Sequence, residues 1–417
     1  MQPPVHFLIS VFLAAGMFGV CATRVRAALP IVIDTVTVGN PGNAGDPIEF
    51  QGVFGAVDYV YAIGKYEVTA GQYAAFLTAV AATDPYALYD TRMWTHAEGC
   101  KIERTGAPGS YTYAIAPDWA NRPVNFVSWG DAARFANWLH NGQPTGEPNL
   151  TTTEDGSYFL DGRMADWELE DVSREPDATW VIPTENEWYK AAYHKNDGVT
   201  GNYWNYPTSN NAAVSNDLID PDPGNNATFR AIEGDFTIGP PYFRTEIGAH
   251  ENSASAYGAF DLGGNVQEFN ETVPEPDIRG IRGGSWFWGD ILGKWYRPVD
   301  MHSSDQYSDL GFRVAILPIS AVSVHSVGAT ASLRFAISGT HPFRDEARFL
   351  VELPEASPVR IDFFDITGRR VAGSLHEALP AGASELRWKT AGLAPGVYLA
   401  RLTAIGRTEI VRFVRIQ

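Results

Sequence analysis

The side chains best suited to proton transfer lie in one stretch that opens at Ser285. After it come Asp290, Lys294, Tyr296, Arg297, His302 and Asp305. His302 and Asp305 have the residue types of an acid–base pair. An enzyme reading would centre on Ser285, Arg297 and His302, in a compact polar pocket with a perturbed histidine. The plainer reading of a histidine near an aspartate on a loop is a surface hydrogen bond. Gly-x-Ser-x-Gly, His-Glu-x-x-His and phosphate-binding glycine loops do not occur. Cysteine chemistry is restricted too. Of the two cysteines, Cys21 precedes an expected cleavage point near Ala27, which leaves Cys100 alone and excludes an internal disulfide.

The net charge of −18 argues against nucleic acid, which needs Lys and Arg gathered on one face. It also disfavours an anionic membrane surface. An acidic surface is compatible with calcium. Residues 1–27 read as a signal peptide, because the apolar run Phe7 to Val20 is too short for a comfortable membrane span. No later run is long and apolar enough to cross a membrane. These features predict a secreted or surface-displayed chain.

The remaining sequence predicts an N-terminal strand and loop at 28–52, a large domain at 53–318, a linker at 319–329 and a β-rich domain at 330–417. In the first segment Ile31, Ile33, Val36 and Val38 are the apolar positions. Three helices in the large domain have start signals. Thr69 with Gln72, and Thr184 with Glu187, read as capping boxes. Ser128 gives a weaker cap to the second helix, and Gly142 suits its end. The apolar faces are Tyr73, Phe76, Leu77 and Val80; Ala132, Phe135, Ala136 and Leu139; and Trp188, Ala191 and Ala192. Long stretches rich in Gly, Asn, Pro and Tyr surround these helices, which predicts a loop-rich α+β domain. The 12 tryptophans fit a loop-rich domain held by ring packing, although Trp-rich domains are also common among glycan binders. In the last domain Val359, Ile361 and Phe363 alternate with polar residues, and later runs such as Val397 and Leu399 do likewise. Regular short strands without helix predict a small Ig-like β-sandwich.

Six blocks in order carry a resemblance. They are Gly64–Thr69, Arg122–Trp129, Ile182–Trp188, Gly263–Phe269, Arg282–Trp286 and Gly311–Ala315. The large domain resembles the formylglycine-generating enzyme (sulfatase-modifying factor) family, whose fold is related to C-type lectins. Active members carry a cysteine pair after the Gly-Gly-Ser block that binds copper(I) and oxidises a substrate cysteine. In this chain those positions are Trp288 and Gly293, neither of which ligates copper. The resemblance therefore implies a pseudoenzyme without copper. The His-x-x-x-His-x-Glu iron ligands of sulfur-transferring relatives are also absent. The family's calcium site would fall on Asp261 and Glu268 through side chains and on Gly264 and Val266 through carbonyls, a donor set that calcium prefers. A second, looser site would fall on Asn226 and Asp235. Trp129, Trp188 and Trp286 are expected to be core rings, and Arg122 and Arg313 loop braces.

The last domain resembles the sorting domains of type IX secretion. The matching pieces are His341–Phe343, Val359–Arg369 and Leu393–Leu399. This resemblance implies export machinery as one partner. The C-type-lectin-like fold implies a protein or glycan ligand as another. The rival readings are an enzyme using the same groove without the cysteine pair, and a structural surface protein.

Overall fold

The computed structural model describes residues 30–416 except 176, 232–233, 289–291, 297–300, 319–332, 339–341, 345, 366–368, 370, 372–374, 391–392 and 405–406. The expected signal peptide and linker lie outside the described residues, as do Asp290 and Arg297. The chain divides into two compact units at Pro318 and Ile319.

In the first unit, helices start where side chains satisfy free N–H groups. Helix Ala70–Val80 is capped reciprocally by Thr69 and Gln72, and helix Glu185–Tyr193 by Thr184 and Glu187. Helix Trp129–His140 has an equally complete box. The Asp131 N–H donates to Ser128 Oγ at 3.1 Å and the Ser128 N–H to Asp131 Oδ2 at 2.8 Å. Asp131 is therefore a better partner for Ser128 than its sequence suggests. The predicted apolar faces are buried. Phe135 meets Tyr73, Phe76 and Phe312 at ring-centroid distances of 6.2, 5.4 and 5.4 Å, which joins two helices to strand Leu310–Phe312.

The N-terminal strand Thr35–Val38 pairs antiparallel with Tyr61–Gly64, so this segment is part of the first unit rather than separate. Ala315–Ile316 and Trp180–Val181 complete that four-stranded sheet. A second sheet sets Gln267–Phe269 between Leu310–Phe312, which is parallel to it, and Ile281–Arg282, which is antiparallel. Two one-turn helices, Arg92–Thr95 and Asp166–Leu169, were not predicted, being too short to show a period.

The second unit contains two antiparallel sheets. One has Glu346–Leu353 between Arg334–Ile337 and Gly382–Lys389. The other runs in the order Leu375–Leu379, Ser357–Asp365, Gly396–Ala404, Arg407–Arg415. Val359, Ile361, Phe363, Leu386 and Phe413 share one core, as the alternation predicts, and Phe349 joins them; in strand Gly396–Ala404 the buried face is Tyr398, Ala400 and Leu402 rather than the expected Val397 and Leu399. Phe363 and Trp388 stack with centroids 3.6 Å apart.

Asp131 is fully buried, and burial pushes its carboxyl from 3.8 up to about 6. The folded chain then holds a proton that the unfolded chain has lost between pH 4 and 6. Its contribution to stability therefore falls as pH rises through that window, by about 3 kcal/mol. Asp131→Asn keeps an acceptor for the Ser128 N–H. Urea midpoints measured from pH 4 to 7 are expected to fall less steeply in this variant. An unchanged pH slope would count against the raised carboxyl.

Candidate functional site

The two blocks Gly263–Phe269 and Arg282–Trp286 lie side by side because Gln267–Phe269 pairs with Ile281–Arg282. Gly264 adopts φ +85°, and a Cβ there would lie 2.3 Å from Thr228 O, so only glycine fits. Gly283 and Gly284, at φ +102° and +66°, turn the chain before Ser285.

Ser285 is buried, and its hydroxyl donates to Asp309 Oδ2 at 2.9 Å. Gln267 Nε2 donates to the same oxygen at 3.2 Å. Burial pushes the Asp309 carboxyl up. The hydroxyl thus has a carboxylate acceptor but no imidazole, and the arrangement clamps the turn rather than activating a nucleophile. His302 lies outside this network. Its imidazole faces Asp166 Oδ2 at 3.9 Å, on one of the unpredicted short helices. Asp305 instead accepts from the His302 backbone N–H at 2.8 Å. The pairing of His302 with Asp305 is therefore a backbone turn, and the exposed His302 ring lies beyond hydrogen-bond distance of Asp166. Lys294 reaches Asp46 Oδ2 at 2.8 Å.

At the positions of the family's thiols, Trp288 is 47% exposed and does not plug a groove. Gly293 is buried, and a Cβ on it would lie 2.6 Å from the Trp295 ring. Trp286, a core ring as expected, packs tilted against Phe243 at 4.8 Å and edge-on against Phe287 at 5.5 Å. Phe287, 39% exposed, meets Trp288 edge-on at 5.1 Å. The Arg230 guanidinium lies 5.3 Å from the Phe236 ring centroid and 5.8 Å from that of Phe287. Trp295 and Tyr296 are also exposed. A chain of ring contacts therefore runs from Phe236 and Phe243 through the buried Trp286 to the exposed Phe287 and Trp288, with the Arg230 guanidinium against Phe236 and Phe287.

The strand Gln267–Phe269 also contributes to a buried charge cluster. Arg313 holds both oxygens of Glu268 at 2.5 and 2.6 Å, and also donates to the Gly64 and Phe260 carbonyls. Trp188 Nε1 donates to Glu268 Oε2 at 2.8 Å. Arg122 braces the Asp118 and Arg244 carbonyls and covers the Tyr242 ring. Asp261 Oδ2 accepts from the Gly248 N–H at 2.6 Å. Burial raises the Asp261 carboxyl to about 6. Glu67, absent from the predicted site, is buried with neither carboxylate oxygen hydrogen-bonded among the described residues. Burial and then the Asp261 charge push it well up.

This arrangement does not fit a calcium cage on Asp261, Gly264, Val266 and Glu268, because the Glu268 oxygens are already held by a guanidinium and an indole. Nor are Asn226 and Asp235 drawn together. Asn226 is buried and donates from Nδ2 to Asp222 Oδ1 at 2.6 Å. Asp235 is exposed, and its main-chain carbonyl accepts from Asn216 Nδ2 at 2.9 Å. Instead Asn226 and Asp261, one from each expected site, line the same small cavity. Among the described residues no group of three His, Cys, Asp or Glu side chains is placed to hold a metal. Asp222 was missed in the sequence. It accepts from Gly224, Asn226, Asn252 and Ser253, and its Asp-Pro-Gly turn was the available signal.

Residues 57–317 match the family model described as sulfatase-modifying factor enzyme 1-like domain, and the chain belongs to that family. Among solved structures it is similar to Treponema denticola variable protein 1. That match has 19% identity and a TM-score of 0.40, and covers 69% of this chain and 95% of the other. It is also similar to PvdO from Pseudomonas aeruginosa, with 18% identity and a TM-score of 0.36, covering 68% and 91%. No curated protein matches the chain. No helix among the described residues is long and apolar enough to cross a membrane.

Proposed function

We propose that this chain is a non-catalytic member of the family, exported from the cytoplasm, whose large unit binds a protein or glycan ligand through the exposed Phe287–Trp288 pair. The observation that carries this reading is the exposed Phe287–Trp288 pair, which stands where the family's first thiol would be. The second thiol position is Gly293, which carries no side chain to ligate a metal. Exposed aromatic faces contribute large contact area at low entropic cost, which suits binding more than a spacer role. An acid–base enzyme draws little support, since Ser285 and His302 have separate partners. The resemblance of the second unit to sorting domains, and the apolar N-terminal run, are what favour export and surface display.

The test uses the mature full chain on glycan and peptide arrays, followed by titration of the best binder. Trp288→Ala and Phe287→Ala are each expected to weaken binding by about tenfold or more, with melting temperature nearly unchanged because both rings are half exposed. Copper-dependent oxygen uptake with a cysteine peptide is expected to be absent. Oxygen uptake, or binding indifferent to both variants, would overturn the proposal.

A further inference from the structure

Beside the exposed Phe287–Trp288 pair stands a cation whose hydrogen-bonding capacity is unspent. Arg230 is exposed, and its guanidinium lies 5.3 Å from the Phe236 ring centroid and 5.8 Å from that of Phe287. Both rings are close enough to attract it. Among the described residues no carboxylate lies within ion-pair distance of Arg230, and its guanidinium donates no hydrogen bond. Arg92, Arg104, Arg134, Arg174, Arg282 and Arg313 of the same unit each hold a carboxylate. The hairpin carrying Arg230 is fixed by the Arg230–Phe236 bridge and by the Thr237 N–H, which donates to the Phe229 carbonyl at 3.0 Å. Phe236 in turn packs against Phe243 at 5.4 Å and Trp286 at 5.7 Å. Rings therefore position the guanidinium and leave its N–H donors free.

A planar guanidinium with free donors takes a carboxylate bidentately, and little ordering cost remains when rings already hold it. The net charge of −18 selects among anionic partners. Every charge of a polyanion would add repulsion, while the single cation offers it one contact. One carboxylate on an otherwise neutral molecule avoids that repulsion. Phe287 touches both the guanidinium and the Trp288 ring, so the ligand must carry its carboxylate close to a flat apolar face. A sugar acid has this shape, with a carboxylate on a ring whose C–H face is apolar. An acidic peptide side chain carries its carboxylate on a flexible stem, whose ordering costs rotamer entropy. The rigid sugar ring suits the site better.

We propose that Arg230 makes this site selective for a glycan that ends in a carboxylate-bearing sugar, with the carboxylate on the guanidinium and the sugar ring on Trp288. The inference rests on the ligand-binding reading of the Phe287–Trp288 pair and narrows its ligand from protein or glycan to acidic glycan.

The probes are oligosaccharides ending in uronic or sialic acids, each arrayed beside its carboxyl-reduced counterpart, together with peptides ending in a free carboxylate or an amide. The best acidic binder and its reduced counterpart are then titrated calorimetrically against the mature full chain. The chain is expected to prefer the acid by about tenfold or more, as a charge-assisted bidentate contact would give. Added salt is expected to shrink that preference. Arg230→Gln is expected to bring the ratio of the two affinities close to one. Arg230→Lys keeps the charge without the planar fork and should recover only part of the ratio. The exposed position makes a matching melting temperature the expected control for both variants. Equal affinity for acid and reduced sugar in the parent chain would overturn the proposal, as would an unchanged ratio in Arg230→Gln or no binding across the array. Binding confined to the peptides would overturn it too, while leaving the Phe287–Trp288 reading in place if Trp288→Ala abolishes that binding. Glycan binding that needs Arg230 but neither Phe287 nor Trp288 would overturn the reading on which the proposal rests.

Discussion

Arg313→Met is expected to lower the stability of the first unit by about 3–5 kcal/mol, and more than any single change to Glu268. Arg313 is fully buried and spends its guanidinium on Glu268, the Gly64 carbonyl and the Phe260 carbonyl. Without it, Glu268 is left as an uncompensated buried carboxylate next to Glu67 and Asp261, and two carbonyls lose donors. Glu268→Gln is gentler. It keeps an acceptor for Trp188 Nε1, and Arg313 retains Glu67 and Asp261 in its field. The double variant Arg313→Met with Glu268→Leu should recover part of the loss, because a buried pair costs most when only one partner is removed. Urea unfolding of the four chains measures this ordering. Arg313→Met within about 1 kcal/mol of the parent would show that the pair is not a stabilising element.

Phe135→Ala should cost about 3–5 kcal/mol through lost transfer energy and the cavity left behind. The ring lies fully buried at the junction of helix Ala70–Val80, helix Trp129–His140 and strand Leu310–Phe312, against Tyr73, Phe76, Trp138 and Phe312. Rings on several sides leave little freedom for the site to collapse. Phe135→Leu keeps most of the volume and should cost markedly less. The readout is a lower urea midpoint at an unchanged denaturant slope. A loss under about 1 kcal/mol for the alanine variant would mean that the three elements are not joined through this ring.

The local determinants were legible because they act over three or four residues. Capping at Thr69, Ser128 and Thr184, the apolar helix faces, and the strand alternation at Val359, Ile361 and Phe363 depend on period and on neighbouring side chains. Gly264, Gly283 and Gly284 sit at positive φ, which glycine adopts without a Cβ clash. Family membership was readable from six short blocks, as was the replacement of the thiol positions by Trp288 and Gly293.

The partners of charged groups were not legible. Glu268 reads in the sequence as a calcium ligand, yet the parallel pairing of Leu310–Phe312 with Gln267–Phe269 brings Arg313 to it, 45 residues later in the chain. His302 reads as the acid–base partner of Asp305, yet only its backbone N–H meets Asp305, and its ring faces Asp166 at 3.9 Å, on a helix too short to predict. Asn226 and Asp261 read as parts of two sites and meet at one cavity. The sequence by itself determined where elements start, which faces are apolar and which chemistry is missing, because those follow from neighbours along the chain. The tertiary structure alone decided which carboxylate meets which cation, because that depends on burial and on strands far apart in sequence.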